Sequence, residues 1–523
     1  MNEPRKTIDL PSWLANLYAP LAPLTQRIKI KREGSPEHNP SDILLPQGYV
    51  TELVAGDLNA PVHVCFDDQG AAYVSECGHK IESRPRILKI DVRTGERQEV
   101  YAEPDSRWFK TGALTGALWH DGCLYFTNTD RISRLRPGGA IEDIVTDLPG
   151  RGDHQTNYPV LGPDGKLYFG VGTATNAGVV GADNFAYEWL PKFPAFHDVP
   201  AQDIVLAGRN YQYKNVLGNV LETVHSGAYV PFGTETAPGQ VVGGSVKCSG
   251  SILRCNPDGS GLEVVAWGLR NPYGLAFAPD GRLYATEHGM DDRGGRYIVG
   301  DLDDFYEIRP GQWYGWPDFA SGIRLDDPQW GEGGQGRAPV LAQFPDPHPP
   351  KPLVSFEPHA AANGVCFSAD PQFGFEGDAF VALFGDIAPV TTPRLAYPRG
   401  YKIVRIDMRQ KKIFDFAANR IEGPASLLRH GGFERPSHCA FGPDGALYVV
   451  DFGKIQIAPE VGGVRVVAGT GALWRIRPTG GPRGTKPPKP RRVPFYLLQY
   501  MLIGLVTGAG LILALWQLKR GKS

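Results

Sequence analysis

The sequence predicts an all-β protein, a six-bladed β-propeller followed by one membrane-spanning helix, and three observations carry that reading. A hairpin signature recurs six times between Pro46 and Pro478. The 65 glycines, 46 prolines and 11% aromatics in 523 residues suit tight turns and half-buried strands rather than helices. Beyond a short basic linker, residues 493–518 form an apolar run longer than the roughly 20 residues that cross a bilayer.

In chain order, residues 1–45 read as an arm. They carry Trp13, Leu14, Leu17 and a basic patch from Arg27 to Arg32, but no apolar core and cleavage site of a secretory leader. The arm either lies on the main domain or forms a short amphipathic piece at a membrane surface.

Residues 46–478 hold the six hairpins. The clearest spans Gly268–Gly289: the apolar runs around Leu275–Phe277 and Leu283–Ala285 flank Ala278-Pro279-Asp280-Gly281. Proline presets φ, aspartate bonds its own backbone and glycine accepts positive φ, so this is a turn between two strands. Related copies begin at Pro61, Gly116, Tyr158, Asn363 and Pro436. Further strands are expected at Arg86–Asp91, Gly250–Arg254, Asp304–Ile308, Tyr401–Ile406 and Ala472–Ile476. A lone hairpin cannot bury both faces, and spacings of roughly 40 to 100 residues leave room for four-stranded blades, so a closed ring of six follows. The long interval 173–247, rich in glycine, asparagine and aromatics, reads as an excursion over one face with a functional use.

Residues 479–492 read as a stiff, basic, proline-rich linker. Residues 493–518 are then expected to anchor the chain to a membrane as a single pass, and Gly504 and Gly508 form a GxxxG within it. Basic residues flank both ends, so the charge pattern favours a cytoplasmic propeller only slightly.

A net charge of -2 gives no basic field for nucleic acid. The seven cysteines are scattered singly, without CxxC or haem-attachment spacing, and read as small buried hydrophobes.

Three polar clusters fall where loops meet the ring's axis. In Asp153-His154-Gln155 an aspartate beside a histidine could orient it as a general base. Arg270-Asn271 sets a permanent cation beside an amide, suited to a carboxylate or a developing oxyanion, or else to an ion pair between blades. Glu287-His288-Gly289-Met290-Asp291-Asp292, with Asp301, Asp303 and Asp304, is oxygen-rich and suits a hard cation such as Ca²⁺, or else a solvated acidic loop.

The run Gly268–Gly289, with Asp303–Gly311 and Tyr314-Gly-Trp-Pro317, resembles the glucose/sorbosone dehydrogenase family, as does Asp153-His154-Gln155 ahead of Gly162-Pro-Asp-Gly165. The resemblance implies a six-bladed propeller that oxidises an aldose with pyrroloquinoline quinone (PQQ) and Ca²⁺, passing electrons to a quinone or cytochrome. It implies that His154 is the base, Asp153 its orienting partner, and Arg270 and Asn271 the holders of the quinone oxygens. Gln155 and Arg435 would also touch the cofactor, and the carbonyls of Gly289 and Met290 would bind Ca²⁺. The sequence departs from the family at Phe384-Gly385-Asp386, where a lysine is expected, and at Ser437, where a second arginine is expected. Those departures support a second reading, a propeller without PQQ serving as a membrane-tethered binding or scaffold module. A third is a metal-dependent, lactonase-like hydrolase.

Overall fold

A computed structural model describes residues 38–493, apart from 79–82, 105–113, 331–337, 345–347, 389, 393–394, 396, 429 and 459–462. Among the described residues the only α-helices are the four-residue segments Asp183–Ala186 and Ala425–Leu428, and the rest of the regular structure is almost entirely strand.

Six antiparallel sheets make up the body, and each predicted hairpin forms the inner pair of one of them. Blade one runs outward through Pro61–Phe66, Ala72–Glu76, Arg86–Ile90 and Arg97–Ala102, and blade two through Leu114–His120, Cys123–Asn128, Arg131–Leu135 and Ile141–Val145. Blade three takes Val160–Leu161, Leu167–Val171, Ser251–Cys255 and Glu263–Trp267. Pro272–Phe277, Leu283–Glu287, Asp304–Ile308 and Val354–Ser355 form blade four. Blade five uses Ala362–Phe367, Ala379–Leu383, Lys402–Asp407 and Lys412–Asn419, with Ile43–Leu44 added at its rim. Blade six takes Pro436–Phe441, Leu447–Asp451 and Gly471–Pro478, and its outer strand is Tyr49–Leu58 from the other end of the chain. The strand pairing of blade six therefore joins the two ends of the propeller.

The turn chemistry is as the sequence predicts. The Asp280 carboxylate accepts from Arg282 N at 3.1 Å, Gly281 has φ +81°, and Asp164 and Asp444 repeat the arrangement in blades three and six. Tyr168 and Tyr448 each donate their hydroxyl to that same aspartate, tying the second strand to the turn before it. Buried apolar side chains fill the spaces between successive blades, as where Tyr284 and Phe305 of blade four pack with Val365, Phe367 and Val381 of blade five.

Near the axis the inner strands lie almost backbone to backbone. A Cβ on Gly274 would stand 2.3 Å from the carbonyl oxygen of Asn363 in the next blade, so only glycine allows that approach. Five of the six inner strands also carry a register irregularity near their first residues. Such bulges bend a strand and sharpen its twist locally.

The interval predicted as an excursion is the connection between the second and third strands of blade three, and it sends Tyr187, Trp189 and Phe193 to the wall of the axial cavity. The stretch read as a linker is laid down on the propeller. Gly484 N donates to Gln47 O, Arg491 exchanges backbone hydrogen bonds with Arg420 and Glu422, and Arg492 pairs with Glu422 at 3.1 Å. The apolar run 493–518 lies, but for Val493, outside the described residues. Among the described residues no helix is long and apolar enough to cross a membrane.

Candidate functional site

A cavity of about 440 Å³ opens at the end of the axis where inner strands begin and second strands end. Asp153, His154 and Gln155 reach it from the segment before blade three, and Arg270 and Asn271 from the segment before blade four. His288, Gly289, Asp291 and Arg293 come from the loop after blade four's second strand. The convergence needs Gly172, where a Cβ would stand 2.3 Å from His154 Cβ and 2.9 Å from Asn271 Oδ1.

His154 Nδ1 lies 3.0 Å from the carbonyl oxygen of Thr173. A carbonyl only accepts, so Nδ1 carries the ring proton. The Thr173 hydroxyl, 3.3 Å away, is already donating to Thr175 O and leaves the same assignment. Nε2 thus keeps its lone pair, and the ring is part of the cavity wall. Burial, then the charges of Arg270 and Arg293 and the neighbouring His288, push its pKa well below 6.5. The geometry is that of a neutral base with its free nitrogen set by the backbone.

Asp153 does not perform the orienting role expected of it. Its carboxylate is buried, accepts from Trp189 Nε1 at 2.7 Å and Asn184 Nδ2 at 2.9 Å, and pairs with Arg293 at 2.5 Å. The thing it orients is the excursion. Burying a charge demands such partners, and all of them come from the excursion and the blade-four loop.

Arg270 is buried and braced. Nε donates to Asn176 O, and Nη2 to Asn176 Oδ1 at 2.9 Å and Asp291 Oδ2 at 3.0 Å. Nη1 has no partner among the described residues and belongs to a side chain that lines the cavity. Burial would raise Asp291, but Arg270, His359 and Arg293 outweigh it and hold its carboxyl well below the ordinary range. Asn271 accepts from Asn157 at 3.0 Å and approaches His288 Nδ1 at 3.0 Å, while His288 Nε2 faces Asn363 Oδ1 at 2.9 Å. Gln155 lines the cavity, and its amide makes no hydrogen bond to a described residue.

Arg435 is placed elsewhere. It lies between the rings of Phe384 and Tyr401 and donates to the carbonyls of Gly385 and Asp386, so its charge braces blade five instead of meeting a ligand.

Nor is the acidic stretch 287–304 a solvated loop or a cage of carboxylates. Among the described residues no three acidic, histidine or cysteine side chains converge as a metal-binding set. Glu287 accepts from Arg270 N and Asn271 N, Asp301 from Met290 N, and Asp303 from Gly289 N and Ala361 N. These acids hold peptide N–H groups and so shape the turn. The carbonyl oxygens of Gly289 and Met290 accept no hydrogen bond from a described residue.

Sequence reasoning missed Thr173, Asn176 and Arg293. Thr173 acts through its carbonyl, which every residue has, so no letter in the sequence marks it. The run Asp291-Asp292-Arg293 was the one available hint of the ion-pair network.

Residues 235–455 match the family model described as Glucose / Sorbosone dehydrogenase. The family match is to the glucose/sorbosone dehydrogenases. It agrees with the resemblance carried by the blade-four motifs, and it takes in Arg270, Asn271, Gly289, Met290 and Arg435. Among curated relatives, quinoprotein glucose dehydrogenase B of Acinetobacter calcoaceticus is 30% identical over 180 residues, which are 34% of this chain and 29% of that protein. Two solved structures share the fold at low identity. The calcium structure of a Trichoderma reesei carbohydrate-active enzyme of family AA12 aligns with 85% of this chain and 99% of its own, at TM-score 0.52 and 15% identity. The holo form of the pyranose dehydrogenase PQQ domain from Coprinopsis cinerea aligns with 85% and 98%, at TM-score 0.51 and 14% identity.

Proposed function

We propose that the axial cavity oxidises an alcohol group of an aldose or related sugar, with PQQ and Ca²⁺ as its resident groups, on a propeller tethered to a membrane by residues 493–518. The observation that carries this reading is His154, a neutral imidazole whose Nδ1–H is fixed by Thr173 O and whose Nε2 is free on the wall that also presents Arg270. His154 Nε2 takes the proton from the substrate hydroxyl as the C–H bond gives up its hydride. PQQ, when bound, supplies the hydride acceptor.

The residues fit that pair of groups at one end. Arg270, with Nη1 unspent, and Asn271 would hold quinone oxygens, and the fixed positive charge would stabilise the oxyanion of the reduced form. The carbonyls of Gly289 and Met290 are a hard-oxygen donor pair for Ca²⁺. Supporting names come from the relatives, a quinoprotein glucose dehydrogenase among curated proteins and a PQQ domain and a calcium structure among those sharing the fold. Electrons would pass on to a membrane quinone or a cytochrome.

One observation favours the second reading, a binding or scaffold module. Each arginine lining the cavity already faces a carboxylate: Arg131 and Arg151 meet Asp130, Arg270 meets Asp291, and Arg293 meets Asp153, Asp183 and Asp291. Among the described residues a polycarboxylate cofactor finds no arginine or lysine on that wall without a carboxylate partner. Reconstitution separates the two readings. Purified protein given PQQ and CaCl₂ should develop quinone absorbance and reduce an artificial dye with aldoses, and its affinity for PQQ should rise with Ca²⁺. A protein that takes up neither group would leave the scaffold reading standing.

A further inference from the structure

The cavity has two unlike halves. On the side of blades three and four its wall is His154, Arg270, Asn271 and their ion-paired neighbours. On the side of blades five, six and one it is hydrocarbon, in which Val62, Cys77, Phe384, Phe452 and Val466 form one buried apolar cluster with Ile387 and Ile455 packed against it. Phe384 and Phe452 meet edge to face at 5.2 Å.

Two additions build this half. One is the loop after blade five's second strand, which brings Phe384, Ile387 and Val390. The other is the hairpin Ile455–Ala458 with Gly463–Val466, inserted between the second and third strands of blade six, with Ile455 opposite Val466. Val464, Ile387 and Ile455 stay partly exposed beside the cavity.

Two polar residues at this wall, Asp386 and Ser437, are already committed. The Asp386 carboxylate accepts from Ala388 N, Arg399 N and the Tyr401 hydroxyl, and the Ser437 hydroxyl donates to Pro61 O. Among the described residues lining this half a carboxylate would meet no cation, and a bare sugar would leave hydroxyls against hydrocarbon without partners.

We propose that the apolar half seats a hydrophobic substituent of the substrate, so that the molecule oxidised is an amphipathic sugar, its reacting hydroxyl at His154 and an alkyl, acyl or aryl group on a carbon remote from the reaction. The proposal rests on the sugar-oxidising reading above. The polar half binds the ring and the base, the apolar half binds the substituent, and the length of that substituent sets affinity.

A series of 6-O-alkyl glucoses from methyl to hexyl, short enough to avoid micelles, tests this on the full chain. Calorimetric titration reads binding without turnover, and dye reduction reads oxidation. Affinity should rise roughly fourfold per added methylene until the lobe is full, the factor that burial of one CH₂ gives. Ile455→Thr and Val464→Thr, which keep β-branched strand residues while adding a hydroxyl, should each cut the gain per methylene to under twofold, with melting temperature as the folding control. Binding that does not change along the series overturns the proposal, whether or not glucose is oxidised. A rising series in a protein that oxidises no sugar would retain the apolar seat and overturn the dehydrogenase reading instead.

Discussion

In the proposed reaction His154 would owe its competence as a base to a backbone oxygen, which makes its behaviour specific enough to test. His154→Ala should lower turnover by about 10² to 10⁴, the usual worth of a positioned proton acceptor, with melting temperature measured as the folding control. The pH profile is the sharper measurement. Burial, Arg270, Arg293 and His288 all disfavour the imidazolium, so the base stays ready across the neutral range and activity should fall only well below pH 6.5. An acid limb at or above that value would remove His154 from the role.

Within the excursion, Asp198 is a buried carboxylate that ties the start of the segment to its end. Its carboxylate accepts from Ala174 N at 2.7 Å and from the hydroxyls of Thr175 and Ser249, yet burial outweighs these and moves its pKa up to about 6. The folded state therefore holds this proton more tightly than the unfolded chain. Its contribution is complete below pH about 3.8 and is lost as pH rises through about 6, a span worth about 3 kcal/mol. Asp198→Asn cannot titrate, so wild type should lose stability relative to the variant between pH 4 and pH 7 in denaturant unfolding. Parallel curves would show that Asp198 is charged throughout.

The loop 287–304 makes a separate demand. If Gly289 and Met290 carbonyls bind Ca²⁺, adding it at 100 times its dissociation constant should stabilise the protein by about 2.7 kcal/mol, and chelation should reverse the rise in melting temperature. Identical melting curves with calcium and with chelator would remove the metal from the site.

For the molecule as a whole, ring closure depends on strand Tyr49–Leu58, which pairs with Gly471–Pro478. Deleting residues 1–37 should leave a folded propeller, whereas deleting residues 1–58 takes away blade six's outer strand and should collapse cooperative unfolding. The other end has a matching boundary. Because residues 484–492 pack on the propeller, the cut that tests the membrane tether belongs after Val493 and not at the start of the basic stretch. That fragment should leave the membrane pellet and melt like the full chain. Its persistence in the pellet at high salt would assign the attachment to another part of the chain.

Six inner hairpins, the Pro-Asp-Gly turns of three of them and most third strands were legible in the sequence, because turn chemistry and alternation with period two act over fewer than a dozen residues. His154, Arg270 and Asn271 were legible as a polar set for a similar reason, since each adjoins a recognisable strand start. Tertiary structure alone decided what those residues do. Thr173, 19 positions along, became the partner of His154 while Asp153 turned to Arg293, 140 positions away, and Arg435 was diverted to the carbonyls of blade five. It also decided that the cavity has a polar and an apolar half. A ring draws its axial wall from loops spread over some 400 residues, and neither a backbone carbonyl nor the neighbour across the axis leaves a mark in local sequence.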